Sequence, residues 1–315
     1  MTLHDWSPFV APILSMLAAG LAAGFLAGLF GIGGGFIVVP ALAMLLSLFP
    51  SGAAGTGGDD HYMHVAIGTS LGTIVITSLR SVHAHARRGA VDFSILRRWA
   101  PWLTVGVCIG IALASHLQGR SLRLVFGFGV FIVGLHFIFP VLGKKGPVRQ
   151  EVPTGLLRAS LASFLGGYSA LLGIGGGAPA VLILTLSGVP IHRAVATAAG
   201  FGTIIAVPGM IGNVLIGWNR EHLPIGSLGF VNVPGLLAIT AASMLTAPLG
   251  VACAHSLNEG RLKRVFGVYL LFTSSMMFYG YARDKSDSDV RRADTAWHDT
   301  QSATREAPRG GGINE

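Results

Sequence analysis

Two short glycine runs carry the strongest chemical signal in this chain: Gly31-Ile32-Gly33-Gly34-Gly35 and Gly173-Ile174-Gly175-Gly176-Gly177. Each follows an apolar stretch and precedes another, so each permits a sharp break and a close backbone approach. A helix that begins at Phe36 or at Ala178 leaves its first amide N–H groups without intrahelical partners. Those donors, together with the helix macrodipole, make a site for negative charge. Glycines can also serve only tight helix–helix contact, but repetition of the run at matching places favours a site. Hydroxyls add further donors: Thr69, Ser70 and Thr73 early in the chain, Thr197 and Thr203 later. Such hydroxyls often bond a neighbouring helix or their own backbone instead. Arg80 and Arg193 stand near the ends of apolar stretches, where contact with an anion and snorkelling to a polar interface are equally open. The candidate anion-binding set is therefore Gly31, Gly33, Gly34, Gly35, Gly173, Gly175, Gly176, Gly177, Thr69, Thr197, Arg80 and Arg193.

What is missing narrows the chemistry further. The carboxylates ahead of residue 283 are Asp5, Asp59, Asp60, Asp92, Glu151, Glu221 and Glu259, and each lies in a linker between apolar stretches. A pathway for metal cations, or for protons on an acid relay, normally places acids among the apolar segments. None is found there, so an anion is the substrate that the charge pattern permits. The spacings His61-x-x-His64 and His83-x-His85 lack Cys or carboxylate partners and make weak metal sites; no metal and no cofactor is expected. Cys108 and Cys253 lie in apolar runs and read as small buried hydrophobes. His136, also in an apolar run, reads as an interior histidine, with a proton-coupling role left open. Gly167-Tyr168-Ser169-Ala170 lacks the glycine after the serine that an intramembrane serine protease would need, and no P-loop is present. The chain is not expected to be an enzyme.

The elements that position these residues follow from composition. The 315 residues are 51% hydrophobic and only 11% charged, with 45 glycines and a mean hydropathy of +0.64. A soluble domain carries roughly a quarter charged residues, so this composition excludes a cytosolic enzyme, a disordered chain and, despite a pI near 10.1, a nucleic-acid binder. The partner it demands is a lipid bilayer. A spanning helix needs about 20 mostly apolar residues. Candidate stretches run over 10–30, 36–49, 64–80, 99–117 and 122–142, then 156–172, 178–190, 194–217, 228–255 and 262–281. The stretches 36–49 and 178–190 are short and each follows a glycine run, the pattern of broken or re-entrant helices. The expectation is eight full spans with two partial elements, or up to ten crossings. The first residues carry no basic region and no cleavage site, so no cleaved signal peptide is expected.

The two sets of stretches also match one another. Besides the glycine runs, Ala66-Ile67-Gly68-Thr69 reappears loosely as Ala194-Val195-Ala196-Thr197, and Leu122-Arg123-Leu124-Val125-Phe126-Gly127 as Leu262-Lys263-Arg264-Val265-Phe266-Gly267. Three collinear matches point to a duplicated, all-α membrane bundle. Its parts are a first repeat over 1–142, a connecting loop over 143–153, a second repeat over 154–282 and a polar tail over 283–315. The tail is expected to be disordered. Basic residues in Arg80–Arg98 and in the joint, set against loop 50–62 without Lys or Arg, place the first two on the cytoplasmic side. The loop holding only Arg220 and the next, with Arg261, Lys263 and Arg264, mildly favour halves inserted in opposite senses.

Gly28-Leu29-Phe30-Gly31-Ile32-Gly33-Gly34-Gly35-Phe36-Ile37-Val38-Val39-Pro40-Ala41-Leu42 resembles the signature opening of the TauE/SafE sulfite exporter family. Leu172-Gly173-Ile174-Gly175-Gly176-Gly177 sits where that family's second repeat would, and the resemblance covers approximately residues 10 to 281. It implies a polytopic permease of the bacterial inner membrane for small sulfur-containing anions such as sulfite, sulfoacetate or related organosulfonates. This chain departs from the pattern at Ala178-Pro179-Ala180, where the proline comes early, in the insert Ser51–Met63 and in the polar tail. The expected function is thus a secondary transporter of a small anion, alternating access between two related halves. The alternative is a non-transporting membrane scaffold or assembly factor that binds a soluble partner through its tail. Association into a homo-oligomer is left open.

Overall fold

The computed structural model describes residues 7–30, 34–48, 61–139, 152–256 and 264–283. These form ten helices: α1 (Ser7–Phe30), α2 (Gly35–Leu48), α3 (Tyr62–Arg87), α4 (Phe93–His116), α5 (Gly119–Ile138), α6 (Gly155–Leu172), α7 (Gly177–Leu186), α8 (Ile191–Gly217), α9 (Val233–Ser256) and α10 (Arg264–Arg283). A two-stranded antiparallel hairpin, β1 (Ser227–Leu228) and β2 (Val231–Asn232), precedes α9. Seven helices, α3–α6 and α8–α10, are long and apolar enough to cross a membrane. Helix α1 has 24 residues, whereas α2 and α7 have 14 and 10. The described residues thus form a predominantly helical, multi-pass membrane bundle, and the two elements following glycine runs are the short ones. Its outward faces carry large exposed apolar side chains such as Ile109, Ile132, Phe164 and Phe272, a surface that suits lipid rather than water.

Two helices extend beyond their apolar stretches. α3 continues through Arg80, His83, His85 and Arg87, and α4 begins ahead of Arg97 and Arg98. The segment Arg80–Arg98 is therefore mostly helical, and only Arg88–Asp92 joins the two helices. Long basic side chains end an apolar run without ending a helix, because they lose little rotamer freedom in one and can reach a polar interface. The stretch expected over 178–190 ends earlier, at a turn through Ser187 and Gly188, and α9 starts later than expected because the hairpin occupies 227–232.

The packing directions place both breaks. α3 and α8 are the most buried of the spans and run antiparallel: Leu71 packs on Gly209, and Ser78 Oγ lies 2.9 Å from Thr203 Oγ1. α1 lies parallel to α9, with Ser243 Oγ donating to Gly20 O (3.0 Å) and Thr246 Oγ1 to Leu21 O (2.7 Å). α6 lies parallel to α4, where Ser163 Oγ donates to Trp102 O (3.1 Å) and Gly110 abuts Gly167. His64 beside Ala114 O ties the start of α3 to the end of α4. Asp92 N–H, donating to Thr197 Oγ1, ties the start of α4 to that of α8. α1, α3, α5 and α9 therefore start at one end of the bundle, the Tyr62 end, and α4, α6 and α8 start at the opposite, Phe93 end. Helix α10, antiparallel to α5 through Ser274 Oγ on Gly127 O (2.9 Å) and Leu270 on Gly134, also starts at the Phe93 end.

Candidate functional site

Helices α2 and α7 both turn back. Gly35 lies against Ile74, while Gly173 brings Val39 and Ile67 together, so α2 descends α3 toward the Tyr62 end from which α1 set out. Helix α6 ends at Gly173 with φ 64°, α7 is entered through Gly176 with φ 67°, and a four-residue turn after α7 leads into α8 at the Phe93 end. Only glycine adopts these left-handed angles without a steric penalty. Two helical hairpins thus enter from opposite ends, and their tips meet beside the middle of α3.

The meeting is close. A Cβ added at Gly35 would lie 2.7 Å from Gly173 O and 2.8 Å from Ile174 Cα, and one at Gly175 would lie 2.8 Å from Ile74 Cγ2. Gly34 differs: a methyl there would make ordinary contacts, 3.5 Å to Val38 Cγ2 and 3.9 Å to Ala27 Cβ. Gly31 and Gly33 lie outside the described residues. On the α7 side the chain carries free donors. Gly173 N–H donates to Ala170 O, Ile174 N–H to Ser169 O and Ala180 N–H to Gly176 O, while the amides of Gly175, Gly176, Gly177 and Ala178 donate to no described residue. On the α2 side Ile37 and Val38 donate to Gly34 O, leaving Gly35 and Phe36 as the leading amides. The Ser70 hydroxyl donates to Gly173 O at 2.8 Å, so that carbonyl is engaged by α3. Ser78 and Thr203 pair their hydroxyls next to Gly202, whose Cβ position is 3.3 Å from Gly175 O. Ser78 Oγ also donates to Val75 O (3.4 Å), which leaves Thr203 as the donor within that pair. No described carboxylate lies within a helix: Asp92 precedes α4 and Glu221 follows α8.

Of the hydroxyls expected at the site, Ser70 and Thr203 reach it, whereas Thr69 and Thr197 face the helix entrances. Thr69 Oγ1 accepts from Asn232 N–H (2.8 Å), and Asn232 Oδ1 in turn accepts from Gly235 N–H (2.9 Å) at the start of α9. Thr197 Oγ1 accepts from Asp92 N–H (3.0 Å), and Asp92 Oδ1 accepts from the amides of Ser94 (3.0 Å) and Ile95 (3.2 Å) at the start of α4. Two N-terminal caps at opposite ends are thus each held by a threonine. The Ser94 hydroxyl, donating to Asp92 Oδ1 at 2.7 Å, is the leading cause that holds the Asp92 carboxyl below its ordinary value. Partial burial works against it, and backbone donors and the charge of Arg193 add to it.

The arginines sit at the periphery. Arg80 is exposed, with Nη1 3.0 Å from Met244 Sδ. Arg193 is exposed on the rim of a cavity of about 290 Å³ at the Phe93 end, shared with Asp92, Arg98 and Arg158. At the Tyr62 end a cavity of about 180 Å³ is lined by His61, His64, His116 and Arg220, with Phe230 stacked on His64 at 4.9 Å between centroids. Both ends therefore offer basic vestibules. Among the described residues no three His, Cys, Asp or Glu side chains converge as a metal site would require.

One polar group at the site stood outside the sequence-based set. Ser169 Oγ is fully buried, has no hydrogen-bond partner among the described residues and lies 3.1 Å from the Cβ position of Gly176. Its sequence signal is an asymmetry: aligning the glycine runs sets Ser169 opposite Ala27.

A family model described as sulfite exporter TauE/SafE matches residues 16–277. A probable membrane transporter protein of Haemophilus influenzae is 33% identical over 266 residues, covering 84% of this chain and 98% of its own length. Probable membrane transporter proteins of Methanocaldococcus jannaschii and Bacillus subtilis are each 26% identical, covering 82% and 84% of this chain and 93% and 96% of their own. No solved structure matches with significance. The family match spans both glycine-broken hairpins and the helices that cradle them, and on that span the chain belongs to the TauE/SafE sulfite exporter family.

Proposed function

We propose that this protein is a secondary transporter for a small anion, with sulfite or a related organosulfonate as the substrate, in the bacterial inner membrane. One observation carries the reading. The starts of α2 and α7, from hairpins entering at opposite ends, flank the same side chain, Ile74, in an interior whose described residues hold no carboxylate. Half-helix N-termini that converge between packed helices are how transporters built from repeats receive anionic groups. The basic vestibules at both ends would concentrate anions at either mouth.

The duplication read from the sequence is part of the proposal. Its support is reciprocity: α1 pairs with α9 while α6 pairs with α4, and Thr69 holds Asn232 while Thr197 holds Asp92. Exchange of equivalent contacts is what a two-fold relation between halves produces. Halves of opposite sense can rock about the shared breaks and expose them alternately to each side. Arg87, Arg88, Arg97, Arg98 and Arg264 gather at the Phe93 end, which we assign to the cytoplasm. The family name brings in the sulfur oxyanion, whose oxygens suit amide and hydroxyl donors.

The test is flux into proteoliposomes holding the full chain, with sulfite, sulfate, thiosulfate and methanesulfonate set against sodium, potassium and nickel. Saturable movement of at least one sulfur oxyanion and of none of the cations is expected. Cation transport without anion transport would end the proposal.

A further inference from the structure

We propose that the buried hydroxyl of Ser169 is a ligand of the transported anion, and that this anion is singly charged; the proposal rests on the permease reading above. Serines and threonines within helices normally back-bond to a carbonyl three or four residues earlier, as Thr73, Thr185 and Thr273 do here. Others cross to a neighbouring helix, as Ser70 and Ser274 do. Among the described residues Ser169 does neither, although no part of it reaches solvent. A hydroxyl buried without a partner is costly and calls for an explanation.

Its position supplies one. Ser169 lies in the last turn of α6, directly beside Gly176, the left-handed residue that opens α7, and the uncommitted amides of Gly177 and Ala178 follow. Pro179 removes the next donor, so the hydroxyl stands in where the helix start offers fewer N–H groups. The corresponding contact in the first hairpin sets Gly34 beside Ala27, with no hydroxyl.

Charge balance sets the class of anion. The described side chains touching the two breaks, among them Ser70, Ile74, Ser78, Ser169, Thr203 and Ile205, carry no formal charge. The positive potential comes from two helix starts, each equivalent to roughly half an elementary charge. Together they balance one negative charge. A second would stay uncompensated in a low-dielectric interior, where an unpaired ion is strongly disfavoured. Methanesulfonate and bisulfite meet the condition, and sulfate does not.

The experiment uses the full chain in proteoliposomes, with methanesulfonate as the singly charged probe and sulfate as the doubly charged one. Wild type is expected to take methanesulfonate with a kcat/KM at least about tenfold above that for sulfate. Ser169→Ala should raise KM for methanesulfonate about tenfold or more with kcat little changed, as for a lost hydrogen bond to a charged ligand. Ser169→Cys gives a second readout that does not depend on the alanine variant folding: modification of its thiol by a small methanethiosulfonate reagent should slow when methanesulfonate is present. An unchanged KM in Ser169→Ala with no protection of Ser169→Cys, or a preference for sulfate, overturns this proposal alone. A wild type that carries cations and no anion overturns it together with the permease reading.

Discussion

Gly35→Ala is the sharpest test of the meeting between the two breaks. The added methyl would sit 2.7 Å from Gly173 O and 2.8 Å from Ile174 Cα, both backbone atoms, so no rotamer change relieves it. Restoring ordinary contact near 3.4 Å requires the α2 start and the Gly173–Ile174 loop to part by about 0.6–0.7 Å, the difference between these separations. Overpacking of this kind costs about 1–3 kcal/mol. The same displacement spreads donors that must converge on one ligand, and misplacement by about 1 Å can reduce a rate roughly a hundredfold. We expect flux to fall about 10- to 100-fold while the variant still inserts and elutes as a single species. Gly89→Ala is the matched control. Gly89 has φ 65° and nothing within 4 Å of its Cβ position, in the turn after α3, so alanine there costs about 1–2 kcal/mol in backbone strain alone. The assay pairs initial rates of sulfite uptake into proteoliposomes with thermal melting in detergent. If both variants lose similar stability and both keep wild-type flux, the breaks are packing devices and the site argument fails.

Three further outcomes are expected. Thr69→Val and Thr197→Val each strip an acceptor from the cap amide of Asn232 or Asp92 and should each destabilise by about 1–3 kcal/mol. With the caps at opposite ends their effects should add; a rise in KM without loss of melting temperature would instead return these threonines to the binding site. Asp92→Ala should cost about 1 kcal/mol as a lost N-cap. Because contacts hold the Asp92 carboxyl below its ordinary 3.8, its contribution is complete above that value and is lost as pH falls through the lower folded value. The gap in melting temperature between wild type and Asp92→Ala should therefore close in acid and stay constant from pH 5 to 8. Arg80→Gln, which removes an exposed guanidinium resting on Met244, should change stability by less than about 0.5 kcal/mol, and a melting shift well beyond that would reveal a contact at Arg80 that the structure does not contain.

Much of this protein follows from composition and pattern alone. Scarce charge and long apolar stretches dictate a helical membrane bundle, because no other open structure satisfies its backbone in lipid. The glycine runs mark where two helices must break, since Gly173 and Gly176 take angles that other residues resist. Only the tertiary structure decided which hydroxyls face those breaks. Thr69 and Ser70 are neighbours in one helix, yet a rotation of about 100° between successive residues sends one to a cap at the bundle's end and the other to the Gly173 carbonyl. The extent of α3 past Arg80, the hairpin ahead of α9 and the orphaned oxygen of Ser169 were equally hidden. Each depends on what a distant segment places alongside, and a linear pattern records a residue's type but not its neighbour across the bundle.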